Sequence, residues 1–86
     1  MPEIRQAIAE IRSQLPTVVT SNAVRAEIES DLAQTNTELE RPAPRRKFLK
    51  ACLESLRDNL AKVVGGVAGG LITTIGGILA RHFGLF

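Results

Sequence analysis

Residues 63–80, VVGGVAGGLITTIGGILA, form an eighteen-residue run with no charge and six glycines, bounded by Lys62 and Arg81. At about 100° per residue, a helix over this run gathers Gly66, Gly69, Gly70, Thr73, Gly76, Gly77, Ala80 and Gly84 into a stripe about 120° wide. Val64, Val67, Leu71, Ile75 and Ile78 take the other side. A glycine inside a helix costs roughly 0.8–1 kcal/mol relative to alanine, so six cost about 5–6 kcal/mol unless something offsets them. The pattern therefore predicts a second backbone lying against the bare side. Small residues four apart, as in Gly65/Gly69 and Gly66/Gly70, let two main chains approach to contact.

The preceding sequence reads as a series of amphipathic helices. Pro2 and Glu3 suit a helix start, and Ile4, Ile8, Ile11 and Leu15 recur at helical spacing, so a first helix of about fourteen residues is expected. Pro16 ends it. After a connector over 17–20, Thr20, Ser21 or Asn22 is placed to cap a second helix. Val24, Ile28, Leu32 and Leu39 mark its apolar side, with Glu27, Glu29, Asp31 and Glu38 expected on its wet side. Gln34, Thr35, Asn36 and Thr37 dilute its second half, so this helix needs a partner.

Arg41-Pro42-Ala43-Pro44 breaks the chain, and Pro44 is placed to begin the next helix. That third segment, FLKACLESLRDNLAKVV, sets Leu49, Leu53, Leu56, Leu60 and Val63 on one face. Positions 49, 56, 63, 70 and 77 also repeat by seven, which carries one seam from the leucines into the glycines if the helix is unbroken; a kink or loop at Gly65-Gly66 is the other possibility. The expected fold is all-α, a small helical bundle or hairpin with a long glycine-rich apolar C-terminal helix, oligomeric, in one domain. Two amphipathic helices occupy 1–41; a proline-initiated helix continuing into the glycine-rich helix occupies 42–86.

Eighty-six residues bury a modest core, which also favours association with further copies. The single cysteine, Cys52, excludes an intrachain disulfide and suits a reducing compartment. The N-terminus PEIRQAIAEIR lacks the basic-then-apolar pattern of a secretory signal, so the cytoplasm is the expected start. Membrane association is the alternative, because eighteen helical residues span about 27 Å against a hydrocarbon core of roughly 30 Å.

No catalytic constellation is visible. His82 is the only histidine, so a histidine metal cluster or triad has no second member within one copy. GGVAGG lacks both the G-x-G-x-x-G spacing and the Lys-Ser/Thr of a phosphate loop. No enzyme activity, cofactor, metal or small-molecule substrate is expected. The absence of tryptophan and tyrosine, with only three phenylalanines, argues against a base-stacking nucleic-acid surface.

Charge is unevenly spread. Residues 1–44 hold four basic and seven acidic side chains, net −3, whereas residues 45–86 hold seven and two, net +5. Arg45, Arg46, Lys47 and Lys50 cluster where a helix begins, so they oppose its macrodipole and do not serve helix stability. They are candidates for an anionic surface: lipid head groups, nucleic acid, or acids of the second helix such as Glu38 and Glu40, in the same chain or the next.

Glu38-Leu39-Glu40-Arg41-Pro42-Ala43-Pro44, then Leu53-Glu54-Ser55-Leu56-Arg57 and Val64-Gly65-Gly66-Val67-Ala68-Gly69, give the chain a resemblance over roughly residues 1–80. It resembles the helical C-terminal module appended to bacterial defence proteins of abortive-infection type. The resemblance implies a non-enzymatic partner to an effector that organises assembly.

Two functions are thus expected. In the first, the chain is a self-associating module that packs against its own copies or a partner helix. Leu49, Leu53, Leu56 and Leu60 supply a buried seam, and Gly66, Gly69, Gly70, Thr73, Gly76 and Gly77 the close approach. In the second it is a membrane-inserting glycine-zipper effector or pore-forming peptide, with 63–80 inserted and the basic cluster on anionic lipid.

Overall fold

Four α-helices make up the structure, a computed structural model that describes residues 2–17, 21–63 and 66–84. Helix α1 (Pro2–Gln14) runs into a short 3-10 turn (Leu15–Thr17), followed by α2 (Asn22–Leu39), α3 (Arg46–Leu60) and α4 (Gly66–Phe83). Thr20, Val64 and Gly65 lie outside the described residues, as do the surroundings of Gly66 and Val67 within α4.

Local chemistry sets most of these limits. Pro16 has no N–H to continue the α1 ladder, and the chain tightens into the 3-10 turn there. Ser21, with extended backbone, caps α2: its hydroxyl accepts the Val24 N–H at 3.2 Å. Helix α3 begins at Arg46, two residues beyond the expected Pro44, and its N-cap residue Arg45 offers no side-chain acceptor. The acceptor comes from α2 instead, where a Glu38 carboxylate oxygen takes the Arg45 N–H at 2.8 Å.

Contacts at the helix ends fix the directions. Arg5 near the start of α1 donates to the Leu39 carbonyl at the end of α2 (3.0 Å), and Arg25 near the start of α2 donates to Leu15 after α1 (2.6 Å). Glu38 meets Arg45 where α2 gives way to α3, and Lys62 beyond α3 reaches Glu27 near the start of α2 at 3.6 Å. Arg46 donates to the His82 carbonyl and Arg81 pairs with Glu3, so the end of α4 lies beside the starts of α3 and α1. Each helix is therefore antiparallel to its neighbours, in the order α1, α2, α3, α4 around an up-down-up-down bundle. Its extents of 35 × 25 × 18 Å make it about one helix long.

The seven-residue seam does not run on into the glycines. Helix α3 ends at Leu60, where the N–H groups of Ala61 and Val63 turn back to the Arg57 and Leu60 carbonyls, both at 3.0 Å. The chain then reverses, so the C-terminal half is a hairpin rather than one helix. A straight helix through residue 77 would leave both the leucines and the α4 aliphatics in water. Folding back buries Leu49, Leu53, Leu56 and Leu60 against Ile28, Leu32, Leu71, Ile75, Ile78 and Leu79, with Ile4, Ile8 and Ile11 closing the core from α1. Gly70 and Gly77, which the seven-residue count placed in that seam, lie on the other side of α4 from these core residues.

Candidate functional site

Helix α2 shows the largest departure from its sequence pattern. Asp31 and Glu38, expected on the wet side, are buried, with relative exposures of 9% and 2%. The apolar stripe of α2 is narrow, and α3 packs so close along one flank that these carboxylates fall inside the contact. Ser55 Oγ donates to both Asp31 oxygens (3.1 and 3.0 Å) and Asn59 Nδ2 donates at 2.8 Å. Thr35, fully buried, donates to the Asp31 carbonyl at 2.7 Å. Lys62 Nζ donates to Asn59 Oδ1 at 3.2 Å and so links this network to Glu27. Among the described residues every buried side-chain nitrogen and oxygen has a partner, so the seam fixes the register of α2 on α3 without leaving an unsatisfied group.

At the other end of the seam, Glu38 receives the Arg45 guanidinium at 2.9 and 3.2 Å and the Arg41 guanidinium at 3.4 Å, besides capping α3. Hydrogen bonds from the Arg45 guanidinium, then from its backbone N–H, pull the Glu38 carboxyl down from 4.5 to about 2. A carboxyl with a lowered folded-state pKa contributes stability that is complete above its unfolded value and is lost as pH falls through the folded one. Thermal melts should therefore show this contribution intact above pH 4.5 and disappearing toward pH 2. Glu38→Gln should melt several degrees lower at neutral pH and show a shallower loss across that window. An unchanged acid profile would rule out Glu38 as its source.

Helix α4 has two unlike faces. Ala68, Leu71, Ile75, Ile78 and Leu79 are buried in the bundle, whereas Gly69, Gly70 and Thr73 are exposed and Gly76 and Gly77 half-buried. A Cβ built on Gly69, Gly70 or Gly76 would meet no atom of the described residues within 4 Å; on Gly77 it would come 3.1 Å from Arg81 Nη1. Thr73 and Thr74 turn their hydroxyls back onto the Gly69 and Gly70 carbonyls, both at 3.0 Å, so neither hydroxyl adds a projecting group. The backbone predicted to lie on the glycines is thus not supplied by the described residues at those three positions. The four α3 leucines are used up inside the bundle. The outward residues of the expected interface are Gly69, Gly70, Thr73, Gly76 and Gly77.

The basic cluster divides. Arg45 is tied to Glu38 and lies 4.8 Å over the Phe48 ring; Arg46 donates to the His82 carbonyl and lies 5.1 Å over the Phe83 ring. Arg46, Lys47 and Lys50 have no carboxylate partner among the described residues, and Lys47 is exposed. His82 Nε2 lies 3.2 Å from Glu3, which Arg81 also engages at 2.8 Å; these two partners, Arg81 first, lower the Glu3 carboxyl below its ordinary value. Burial pushes the Cys52 thiol up, away from the reactive thiolate. Among the described residues no group of three histidine, cysteine or carboxylate side chains could hold a metal ion, and no helix is long and apolar enough to cross a membrane.

No family model, curated protein or solved structure matches the chain.

Sequence reasoning anticipated the pairing of Glu38 with the basic cluster, but missed Asp31, Ser55 and Asn59 as partners, the burial of Glu38, and Phe48 as an exposed ring. A signal existed: Glu27, Asp31, Thr35 and Glu38 recur at spacings of four, four and three on α2, opposite Lys62, Asn59, Ser55, Cys52 and Arg45. Read separately, each helix looks solvated on that flank; aligned antiparallel, the two polar rows meet.

Proposed function

We propose that this chain is a small non-enzymatic interaction module that self-associates through the glycine-lined face of α4, packing it on a second copy or on a partner helix. The observation that carries this reading is the open space over Gly69, Gly70 and Gly76. These glycines lower helix stability by roughly 0.8–1 kcal/mol each, and no contact among the described residues compensates. A backbone from outside would compensate, because it can approach α4 closely only where no side chains stand. The resemblance to modules of abortive-infection-type defence proteins agrees with this role, that of an assembly partner to an effector.

The decisive variant is Gly70→Leu. Its side chain projects into space that no described residue fills, so the bundle should fold normally by circular dichroism, while the added bulk blocks a second backbone. Size exclusion with light scattering should give an oligomer for the parent chain, with or without detergent, and a monomer for the variant. A monomeric parent chain at all accessible concentrations, or a variant of unchanged mass, would end the proposal.

A further inference from the structure

The end of the bundle where α3 begins carries an exposed ring within unpaired positive charge. Phe48 is the one large hydrophobic side chain in the exposed range among the described residues, at 36%. It shares a shallow surface with Arg45, the N-cap residue of α3, and with Arg46, Lys47 and Ala51 from its first turns. Arg45 is largely neutralised by Glu38, but Arg46 has only the neutral His82 carbonyl as a hydrogen-bond partner, and Lys47 and Lys50 have no carboxylate partner among the described residues. These charges weaken the start of α3 rather than support it. Arg46 ties the end of α4 to this helix start through the His82 carbonyl and the Phe83 ring, and its charge, like those of Lys47 and Lys50, meets no carboxylate among the described residues.

From this geometry we infer that the start of α3 docks on an anionic lipid surface, with Lys47, Lys50 and Arg46 against the head groups and the Phe48 ring in the interfacial layer. A surface built from one helix turn is convex, and it suits a broad flat partner. A peptide helix is seated by a groove with apolar walls. The groove on the α2 side of Phe48 presents Ala33, Gln34 and Thr37, small or polar side chains that supply no second apolar anchor. Phosphate head groups complement Arg46, Lys47 and Lys50, whose charges no carboxylate among the described residues neutralises, and a ring with a cationic fringe partitions to the membrane interface. This surface is on α3 and does not depend on the association of α4.

Co-sedimentation of the full chain with vesicles tests the inference. Phosphatidylcholine vesicles containing about 30% phosphatidylserine should bind it at low salt, and pure phosphatidylcholine should not, because a basic side chain near an anionic leaflet contributes roughly fivefold in affinity. Raising salt to about 0.5 M should abolish the binding by screening. Lys47→Gln should weaken binding roughly fivefold and Lys47→Glu roughly 20-fold, and Phe48→Ser should weaken it at unchanged charge. Circular dichroism confirms the fold of each variant; should the glutamate variant fail to fold, the glutamine and serine variants carry the test. Equal binding to both vesicle types, no binding to either, or variants that bind as the parent chain does would overturn it. Tighter binding to a polyglutamate peptide than to the anionic vesicles would also overturn it, in favour of an acidic protein partner.

Discussion

Alanine at Gly69, Gly70 and Gly76 together should raise the stability of the dilute, monomeric bundle by about 2–3 kcal/mol, at roughly 0.8–1 kcal/mol for each helical position. The gain comes from alanine restricting the unfolded chain more than glycine does, and nothing offsets it because the methyl group would clash with no described residue in the folded one. Urea unfolding at a concentration where light scattering shows monomer measures it. Gly77→Ala should gain less, because its methyl group would press on Arg81, which also holds Glu3. The contrast between alanine and leucine at association concentrations distinguishes this face from neutral surface. Alanine is still small enough for close packing, so the triple variant should assemble, whereas leucine at residue 70 should not. If the triple variant is no more stable than its parent as a monomer, the three positions are covered in the isolated chain and the open face does not exist.

Leu56→Ala should cost about 2–5 kcal/mol, the range for removing a fully buried leucine from a core that relaxes only in part. Leu56 is 0% exposed and belongs to the cluster that joins all four helices. A bundle of 86 residues has a total stability of roughly 4–13 kcal/mol, so the loss approaches the whole in the less stable half of that range. A fall in melting temperature of roughly 10–30 °C follows. Asp58→Ala, on the exposed side of the same helix with its carboxylate 71% exposed, should stay within about 0.5 kcal/mol of the parent. A Leu56→Ala loss below about 1 kcal/mol would mean that α3 does not pack by its leucine face.

The acid profile of Glu38 and the α4 variants probe different parts of one arrangement. Glu38 joins the end of α2 to the start of α3, offsetting there the charges that oppose the α3 macrodipole. By holding Arg45 it also leaves Arg46, Lys47 and Lys50 as the net charge of that end. The structural ion pair and the proposed lipid-binding surface are therefore adjacent but use different cations.

The limits and apolar stripes of the helices could be read from sequence because they depend on near neighbours: Pro16 stopping α1, Ser21 capping α2, the proline pair before α3, and leucines at helical spacing. The uneven charge of the two halves also foreshadowed attraction between them, visible in Glu38–Arg45, Glu27–Lys62 and Glu3–Arg81. The burial of Asp31 and Glu38, and the contacts that Asp31 makes, were not legible. A carboxylate on the flank of a helix is solvated or buried according to what lies beside it, and here the partners Ser55, Asn59 and Arg45 come from a different helix.

By itself, then, the sequence determined that the chain is helical, where α1 and α2 begin and end and where α3 begins to within a few residues, and that the glycine-rich segment has a bare side. Only the tertiary structure decided that the chain reverses after Leu60, and that the bare side of α4 faces out while the leucines face in. The reason is that helical periodicity separates two faces of an element but is silent on which face meets which neighbour. That choice belongs to the apolar area of all four helices at once, and it is smallest in water when the leucines and α4 aliphatics share one core and the glycines are left outside.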